Sequence, residues 1–182
     1  MPHQMSLALG LAAPEPSAFP LDRGPASLME YPHLHADTIC THAKELGLAA
    51  ELLVDSTLAR LGIRYASFGE HSAYDRVIWT ADRCLRMQIK ARHRATGPAY
   101  VFDIKKGYQR GPTGTKPYQP GEFDILALVA LPENAVRFTA EWRPSHKISL
   151  CEIPRLRARP AETLIEALEH LGLCDPLIPS QA

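Results

Sequence analysis

The chain has 182 residues, of which 46% are hydrophobic, and its 20 lysines and arginines balance its 20 aspartates and glutamates. This length favours one domain with its own core. No apolar run reaches the roughly 20 residues that cross a bilayer, and residues 1–30 lack the cationic start and apolar stretch of a secretory signal. We therefore expect a cytoplasmic protein without a membrane partner, and reduced thiols at Cys40, Cys84, Cys151 and Cys174.

The first predicted helix follows a proline-rich arm. Residues 1–36 contain scattered prolines and are expected to be extended or mobile. Over residues 41–61, apolar side chains recur at spacings of three and four, which predicts an amphipathic helix with one face on a core. Glu51 lies at the border of that face. It is either an ordinary boundary carboxylate or a side chain that projects towards a site on the adjacent sheet.

Two apolar runs then predict a β-hairpin with polar residues at one end. Asp75 opens the first run, and the second ends in Gln88-Ile89-Lys90. Residues two apart on a strand point to the same side, so Gln88 and Lys90 share a face. If the runs pair, Asp75 meets both of them. The alternative is a simple cross-strand ion pair between Asp75 and Lys90 on a solvated face.

The second strand of this hairpin alternates between two kinds of side chain, which is typical of a half-buried strand. Its apolar face carries Leu85, Met87, Ile89 and Ala91. The opposite face, which we expect to be exposed, carries Arg86, Gln88, Lys90, Arg92 and Arg94.

Positive charge is concentrated beside this hairpin. Residues 86–116 contain eight lysines and arginines and a single acid, Asp103. Such a segment favours phosphate binding, although a merely solvated charged face is the alternative. The predicted DNA-binding residues are Arg92, Arg94, Lys105, Lys106, Arg110 and Lys116.

A long irregular loop follows, and then the remaining elements. Residues 107–122 are rich in glycine and proline, which indicates a long irregular loop that either contacts or clamps DNA or is disordered. Its two tyrosines, Tyr108 and Tyr118, stack on bases or anchor the loop to the core. Asp124 heads a buried central strand and either supports the site or caps the preceding turn. A further strand over residues 136–142 and a helix over residues 161–171 complete the pattern.

The order of these polar residues resembles that of a known nuclease superfamily. The pattern consists of Gly47-x-x-x-Glu51, a strand, Tyr74-Asp75 and then Gln88-x-Lys90. It resembles the PD-(D/E)XK nucleases, and most closely the branch with group I intron homing endonucleases and archaeal Holliday-junction resolvases. The resemblance covers residues 41–92 and extends loosely to about residue 143. Tyr74 stands where the motif has proline, and Gln88 replaces the second acid.

This resemblance implies an α/β (α+β) fold with a restriction-endonuclease-like core, a mixed, mostly antiparallel sheet of four or five strands flanked by helices. The core would span residues 37–150, with residues 151–182 as a helical extension. It further implies a metal-dependent DNA endonuclease in which Asp75, Gln88 and Glu51 hold Mg²⁺, or Mn²⁺, and Lys90 orients the attacking water.

The same resemblance implies duplex or branched DNA as the partner. Because cutting both strands of a duplex with one small site usually requires a second copy of it, we expect a homodimer or a dimer of dimers. The alternative is a catalytically inactive DNA-binding or assembly module that keeps the nuclease fold. Gln88 is the residue that favours this alternative, because replacing an acid by an amide removes one negative charge from the cation site.

Overall fold

The computed structural model describes residues 27–69, 72–107 and 114–173. Most of the predicted N-terminal arm, together with Tyr108, Arg110 and Cys174, therefore lies outside the described residues. The helices are α1 (Ala36–Thr41), α2 (Ala43–Arg60), α3 (Ile153–Ala158) and α4 (Glu162–His170). The strands are β1 (Tyr65–Ser67), β2 (Arg76–Trp79), β3 (Cys84–Arg92), β4 (Ala99–Asp103), β5 (Lys105–Lys106), β6 (Lys116–Pro117), β7 (Ile125–Ala130), β8 (Ala135–Thr139) and β9 (Ser145–Ser149).

The main sheet has five strands in the order β1-β2-β3-β7-β8. The β3–β7 pair is parallel, and the other three pairs are antiparallel. The prediction of a mixed, mostly antiparallel sheet flanked by helices is therefore confirmed. The predicted central strand is β7, and all six of its residues are buried. No helix in the described part of the chain is long and apolar enough to cross a membrane.

The helix predicted over residues 41–61 is α2, and it covers one face of the sheet. Its buried positions include Leu46, Ala50, Val54 and Leu58, spaced by four residues so that they form one stripe. This stripe packs into a core that also contains Met87 of β3 and residues of α4. The hydrophobic effect thus fixes which side of α2 faces the sheet, and Glu51 borders that side.

The opposite face of the sheet is covered in part, so the prediction that the polar face of β3 is exposed is wrong for Gln88, while Arg92 and Arg94 are exposed. A two-stranded ribbon of β4 and β9 lies over it together with α3. Phe102 of the ribbon and Leu128 of β7 share this second core. Gln88, expected to be exposed, is only 6% accessible. Both faces of the sheet contact a core, because β7 contributes apolar residues to both of them.

A short hairpin of β5 and β6 follows β4 of the ribbon. Lys105 pairs with Pro117, and Lys106 pairs with Lys116. Gly107 follows β5 with a φ of +88°, and a Cβ placed there would lie 2.5 Å from the carbonyl oxygen of Gly114. Only glycine meets both conditions. After the hairpin, residues 118–124 return to the polar side of β3, where Tyr118 contacts Lys90 and Asp124 contacts Arg86.

Candidate active site

Asp75 and Gln88 are in direct contact. Asp75 precedes β2, and its amide donates to the carbonyl of Met87 at 2.9 Å, so it lies opposite Gln88 in the hairpin. The Asp75 Oδ2 accepts hydrogen bonds from Gln88 Nε2 at 2.6 Å and from the amide of Ile89 at 2.7 Å. Gln88 Nε2 also donates to the carbonyl of Ile89 at 3.1 Å. One amide nitrogen thus bridges a carboxylate oxygen and a carbonyl oxygen.

Asp75 lies in surroundings that oppose its negative charge. Burial raises the pKa of Asp75, and the charge of Glu51 raises it further. The hydrogen bond from the Ile89 amide and the charges of Lys90 and Arg76 lower it, but the net shift is upward. A cation or a proton beside this carboxylate would therefore be stabilised.

Lys90 points to the same side of β3 as Gln88, but its ammonium group contacts a phenol and not a carboxylate. Lys90 Nζ donates to the Tyr118 hydroxyl at 2.9 Å. Burial lowers the pKa of Lys90, and the nearby charge of Asp75 opposes that shift. Among the described residues Lys90 forms no ion pair, so the alternative of a cross-strand Asp75–Lys90 ion pair is wrong.

Arg76 is central to this region, although it is not among the site residues predicted from the sequence. Its side chain is only 4% exposed, and Arg76 Nη1 lies 3.0 Å from Glu51 Oε2. Its other nitrogens bind Asp55 in a bidentate pair, Nε to Oδ1 at 2.7 Å and Nη2 to Oδ2 at 3.0 Å. Arg76 Nη1 also donates to the carbonyl of Asp75 at 2.8 Å. The arginine therefore links α2 to the strand that carries Asp75.

Two sequence features pointed to Arg76 without identifying its partners. It interrupts an apolar run directly after Asp75, and a charged residue in a buried run requires an opposite charge. Asp55 lies four residues after Glu51, so both project from the same side of α2. Burial lowers the pKa of Arg76, but hydrogen bonds and charges of Asp55 and Glu51 outweigh this and raise it. The guanidinium is thus held as a cation.

The predicted DNA-binding residues fall into two groups. Arg92 donates to the carbonyl of Val101 at 2.7 Å and contacts Asp103 at 3.3 Å, and Lys106 forms an ion pair with Glu122. The second group of predicted residues, Arg94, Lys105 and Lys116, is exposed and forms no ion pair among the described residues.

A polar cleft opens beside Lys90 on the β5–β6 side. It has a volume of about 360 Å³, and its lining includes Lys90, Arg92 and Lys105 together with Thr115. Among the described residues of this lining, Asp103 is the one acid. The cleft is therefore net positive and suits an anionic ligand.

Asp124 and Tyr118 were each given two alternative roles by the sequence. Asp124 binds Arg86 through Nη2 at 3.0 Å and through the backbone amide at 2.8 Å. It therefore ties the starts of β3 and β7 together and does not cap the preceding turn, whose Gln119 amide donates to Glu122. Tyr118 is 7% exposed and packs edge-on against Phe123, so the anchoring alternative describes its ring.

The oxygen atoms around Asp75 suit a hard cation such as Mg²⁺. They are the Asp75 carboxylate, the Ile89 carbonyl and the side-chain oxygen of Gln88, all oxygen ligands of the kind Mg²⁺ prefers. Gln88 directs its nitrogen at Asp75, so its oxygen becomes a ligand only when the amide turns. Within the described residues, no group of three or more histidine, cysteine, aspartate and glutamate side chains is arranged to hold a metal. The fit therefore depends on Gln88 and a backbone carbonyl.

Comparisons with known proteins show similarity at the level of the fold. No protein-family model matches the sequence. No curated protein matches it at a significant level. A bacterial homing endonuclease, I-Ssp6803I, has a similar structure, with a TM-score of 0.50 and 16% sequence identity over 58% of this chain and 76% of that one. The chain therefore has a nuclease-like fold.

Proposed function

We propose that this protein is a metal-dependent DNA endonuclease of the PD-(D/E)XK type, which hydrolyses phosphodiester bonds. The observation that carries the proposal is the contact of Asp75 with Gln88 beside the Ile89 carbonyl, with Lys90 two residues further on the same side. An acid, an oxygen-bearing amide and a cation in this order match the resemblance in the sequence. The homing endonuclease fold supports it from an independent direction.

Each side chain has a distinct task in this proposal. Asp75 would bind Mg²⁺ or Mn²⁺ directly, and Gln88 would add its amide oxygen. When bound, the ion would polarise the scissile phosphate and lower the pKa of a coordinated water. Lys90 would orient that water or stabilise the charge that develops on the phosphate.

Glu51 has a reduced part relative to the sequence-based prediction. Because Glu51 Oε2 lies 3.0 Å from Arg76, its charge is already paired within the protein. We propose that Glu51 acts on the site through its charge and through a bound water.

DNA would approach from the side of the polar cleft. Lys105 and Arg92 line that cleft with Lys90, and Lys116 and Arg94 are exposed nearby in the chain. Neutralising phosphates with such cations supplies most of the sequence-independent affinity for DNA. Lys106 and Arg110 complete the proposed set.

One observation favours the second candidate, an inactive DNA-binding or assembly module. The Gln88 amide nitrogen satisfies both the Asp75 carboxylate and the Ile89 carbonyl, so the cluster is hydrogen-bonded without any ion. A glutamate in that position would instead need a cation beside Asp75, because two adjacent carboxylates repel each other.

Cleavage assays with matched variants separate the two candidates. We would incubate the protein with plasmid, four-way junction and linear DNA in Mg²⁺, Mn²⁺ or EDTA. The nuclease proposal expects metal-dependent cleavage that falls at least about 100-fold in Asp75→Asn and Lys90→Met. Control variants at the far end of the hairpin, Asp82→Asn and Arg64→Gln, should cleave normally. Salt-dependent DNA binding without cleavage would favour the module, and the absence of both would refute the nuclease and a DNA-binding module.

We also propose that the protein acts as a homodimer or a dimer of dimers. Cutting both strands with one small site requires a second copy, and two-fold symmetric DNA matches two-fold protein symmetry. Light scattering at micromolar concentration, with and without DNA, tests this. A strict monomer in both conditions would overturn it and would favour nicking of one strand.

A further inference from the structure

Tyr118 makes a polar contact that its role as a core anchor does not require. Its hydroxyl accepts the hydrogen bond from Lys90 Nζ at 2.9 Å, and the same nitrogen lies 4.9 Å from the centre of the Tyr118 ring. The Tyr118 hydroxyl is the hydrogen-bond partner that the described structure gives to the Lys90 ammonium. A phenol is therefore in contact with the proposed catalytic lysine.

The ring of Tyr118 is held from more than one side. It packs edge-on against Phe123 at a centroid distance of 5.1 Å, and Phe123 stacks on Trp142 at 4.9 Å. Lys106 Nζ lies 5.6 Å from the Tyr118 ring and is itself paired with Glu122. These contacts fix the direction of the hydroxyl, because the ring can turn only with its neighbours.

The turn that follows Tyr118 is closed by the same glutamate. Glu122 Oε2 accepts from the backbone amide of Gln119 at 2.7 Å, while Oε1 contacts Lys106. Tyr118 therefore lies between the β5–β6 hairpin and β7, in a segment whose turn is held by hydrogen bonds to Glu122. Its hydroxyl has a defined position relative to β3.

Lys90 needs such a partner more than an ion-paired lysine does. A lysine side chain has four rotatable bonds, and its ammonium group here forms no ion pair within the described residues. A hydrogen-bond acceptor on a rigid ring selects one of the available positions. Because misplacing a catalytic group by about 1 Å can cost roughly 100-fold in rate, this selection matters for the chemistry.

We propose that Tyr118 is a positioning residue, whose hydroxyl oxygen holds the ammonium group of Lys90 in the place where it meets the scissile phosphate. This inference rests on the proposed nuclease function for its consequence in catalysis. The contact itself is independent of that function and is measurable without DNA. The hydroxyl, not the aromatic ring, carries the positioning role.

The variant Tyr118→Phe isolates the hydroxyl, because phenylalanine keeps the ring and its contact with Phe123. Tyr100→Phe is the matched control. Tyr100 is 4% exposed, belongs to the same core and donates to Glu133 at 3.3 Å, away from Lys90. Melting temperatures equal to that of the unmodified protein in both variants would show that neither substitution disturbs the core.

The first measurement is the ¹H–¹⁵N signal of the lysine ammonium groups by NMR. The Lys90 signal is assigned by its disappearance in Lys90→Met. In the unmodified protein, its hydrogens should exchange with water more slowly than those of exposed Lys44. The slow exchange should persist in Tyr100→Phe and be lost in Tyr118→Phe. Fast exchange in the unmodified protein, or an unchanged signal in Tyr118→Phe, would overturn the proposal.

The second measurement is cleavage kinetics. Tyr118→Phe should lower kcat by roughly 10- to 100-fold with DNA affinity and KM within about twofold, because the hydroxyl acts through Lys90. In the Lys90→Met background the same change should have no further effect. A protein without any cleavage refutes the proposed function while the NMR result still decides the contact. Normal kcat in Tyr118→Phe refutes the positioning role in an active enzyme.

Discussion

The two sides of Asp75 satisfy their charges in opposite ways. On the acidic side, which consists of Glu51, Asp55 and Arg76, a nearly inaccessible guanidinium binds two carboxylates within 3.0 Å. On the lysine side, which consists of Lys90 and Tyr118, a largely buried ammonium group meets a neutral phenol. The carboxylates of the acidic side are therefore ion-paired within the protein, although one guanidinium shared by two carboxylates leaves a net charge of −1. The lysine side carries a positive charge that a bound anion can neutralise.

Stability and function depend on different sides of Asp75. A buried ion pair that bridges α2 and β2 holds the fold, because removing one partner leaves charges buried without compensation. A buried cation without a paired acid costs stability, and such groups are typical of functional sites. Substitutions on the acidic side should therefore unfold the protein, and those on the lysine side should change what it does.

The largest effect is expected for Arg76→Met. Without the guanidinium, Glu51 and Asp55 face each other near Asp75, which should lower the free energy of unfolding by about 3–5 kcal/mol. Urea unfolding followed by circular dichroism at pH 7 measures this. Arg155→Met is the matched control, because Arg155 also binds two glutamates at 2.9 Å but is 51% exposed, and it should change stability little. Equal losses in the two variants would contradict the comparison.

An intermediate effect is expected for Asp124→Asn, which breaks a partly exposed ion pair outside both sides. The hydrogen bonds to Arg86 should make it cost about 1–2 kcal/mol at pH 7. Burial raises the pKa of Asp124, but the hydrogen bonds and charge of Arg86 outweigh this and lower it below 3.8. The stabilisation is therefore present above about pH 4 and is lost as the pH falls through the lower folded-state pKa.

The pH dependence supplies the check on Asp124. Melting temperatures of the unmodified protein and of Asp124→Asn should differ at neutral pH and converge as the carboxyl group is protonated in strong acid. A difference that stays constant from pH 7 down to pH 2 would show that the side chain acts through packing and not through its charge.

The fold was predictable where one residue pattern decides one element. The four-residue spacing of Leu46, Ala50, Val54 and Leu58 predicted α2, because residues at this spacing lie on one face of a helix and are buried together. The continuous apolar run of residues 125–130 predicted the central strand for the same reason. Asp75 lies opposite Gln88 because the hairpin register follows from two adjacent runs.

What the sequence did not show depends on contacts between distant elements. The alternation of β3 cannot reveal that the β4–β9 ribbon covers its polar side, because charged residues there look exposed in any local pattern. Arg76 is buried only because α2 brings Asp55, 21 residues away, across the strand. The contact of Lys90 with Tyr118 spans 28 residues and requires the chain to return after the β5–β6 hairpin. Such contacts join distant parts of the chain, so no short-range spacing in the sequence predicts them.

A smaller effect of opposite sign is expected for Lys90→Met on stability. Methionine has a similar shape and no charge to desolvate, so the free energy of unfolding should stay constant or rise by up to about 1 kcal/mol. The measurement is urea unfolding beside Arg76→Met under identical conditions. A loss above about 2 kcal/mol would show that the lysine is a structural cation like Arg76, and the two sides would no longer differ in kind.

The smallest effect is expected for Lys105→Gln at the polar cleft. Lys105 is exposed, lines the cleft with Lys90 and Arg92, and has no ion pair among the described residues. If it contacts one phosphate, the slope of log affinity against log salt should decrease in magnitude by about 0.9. Fluorescence anisotropy with a labelled duplex from 50 to about 200 mM salt measures this slope.

Arg64→Gln is the control for that slope. Arg64 is exposed, and its carbonyl accepts from the amide of Trp79, which pairs with Cys84 at the opposite end of β3 from the cleft. Its removal changes the net charge by the same amount as Lys105→Gln but should leave the slope unchanged. If both variants shift the slope equally, net charge alone governs DNA binding. The polar cleft would then not be the site where the DNA phosphates bind.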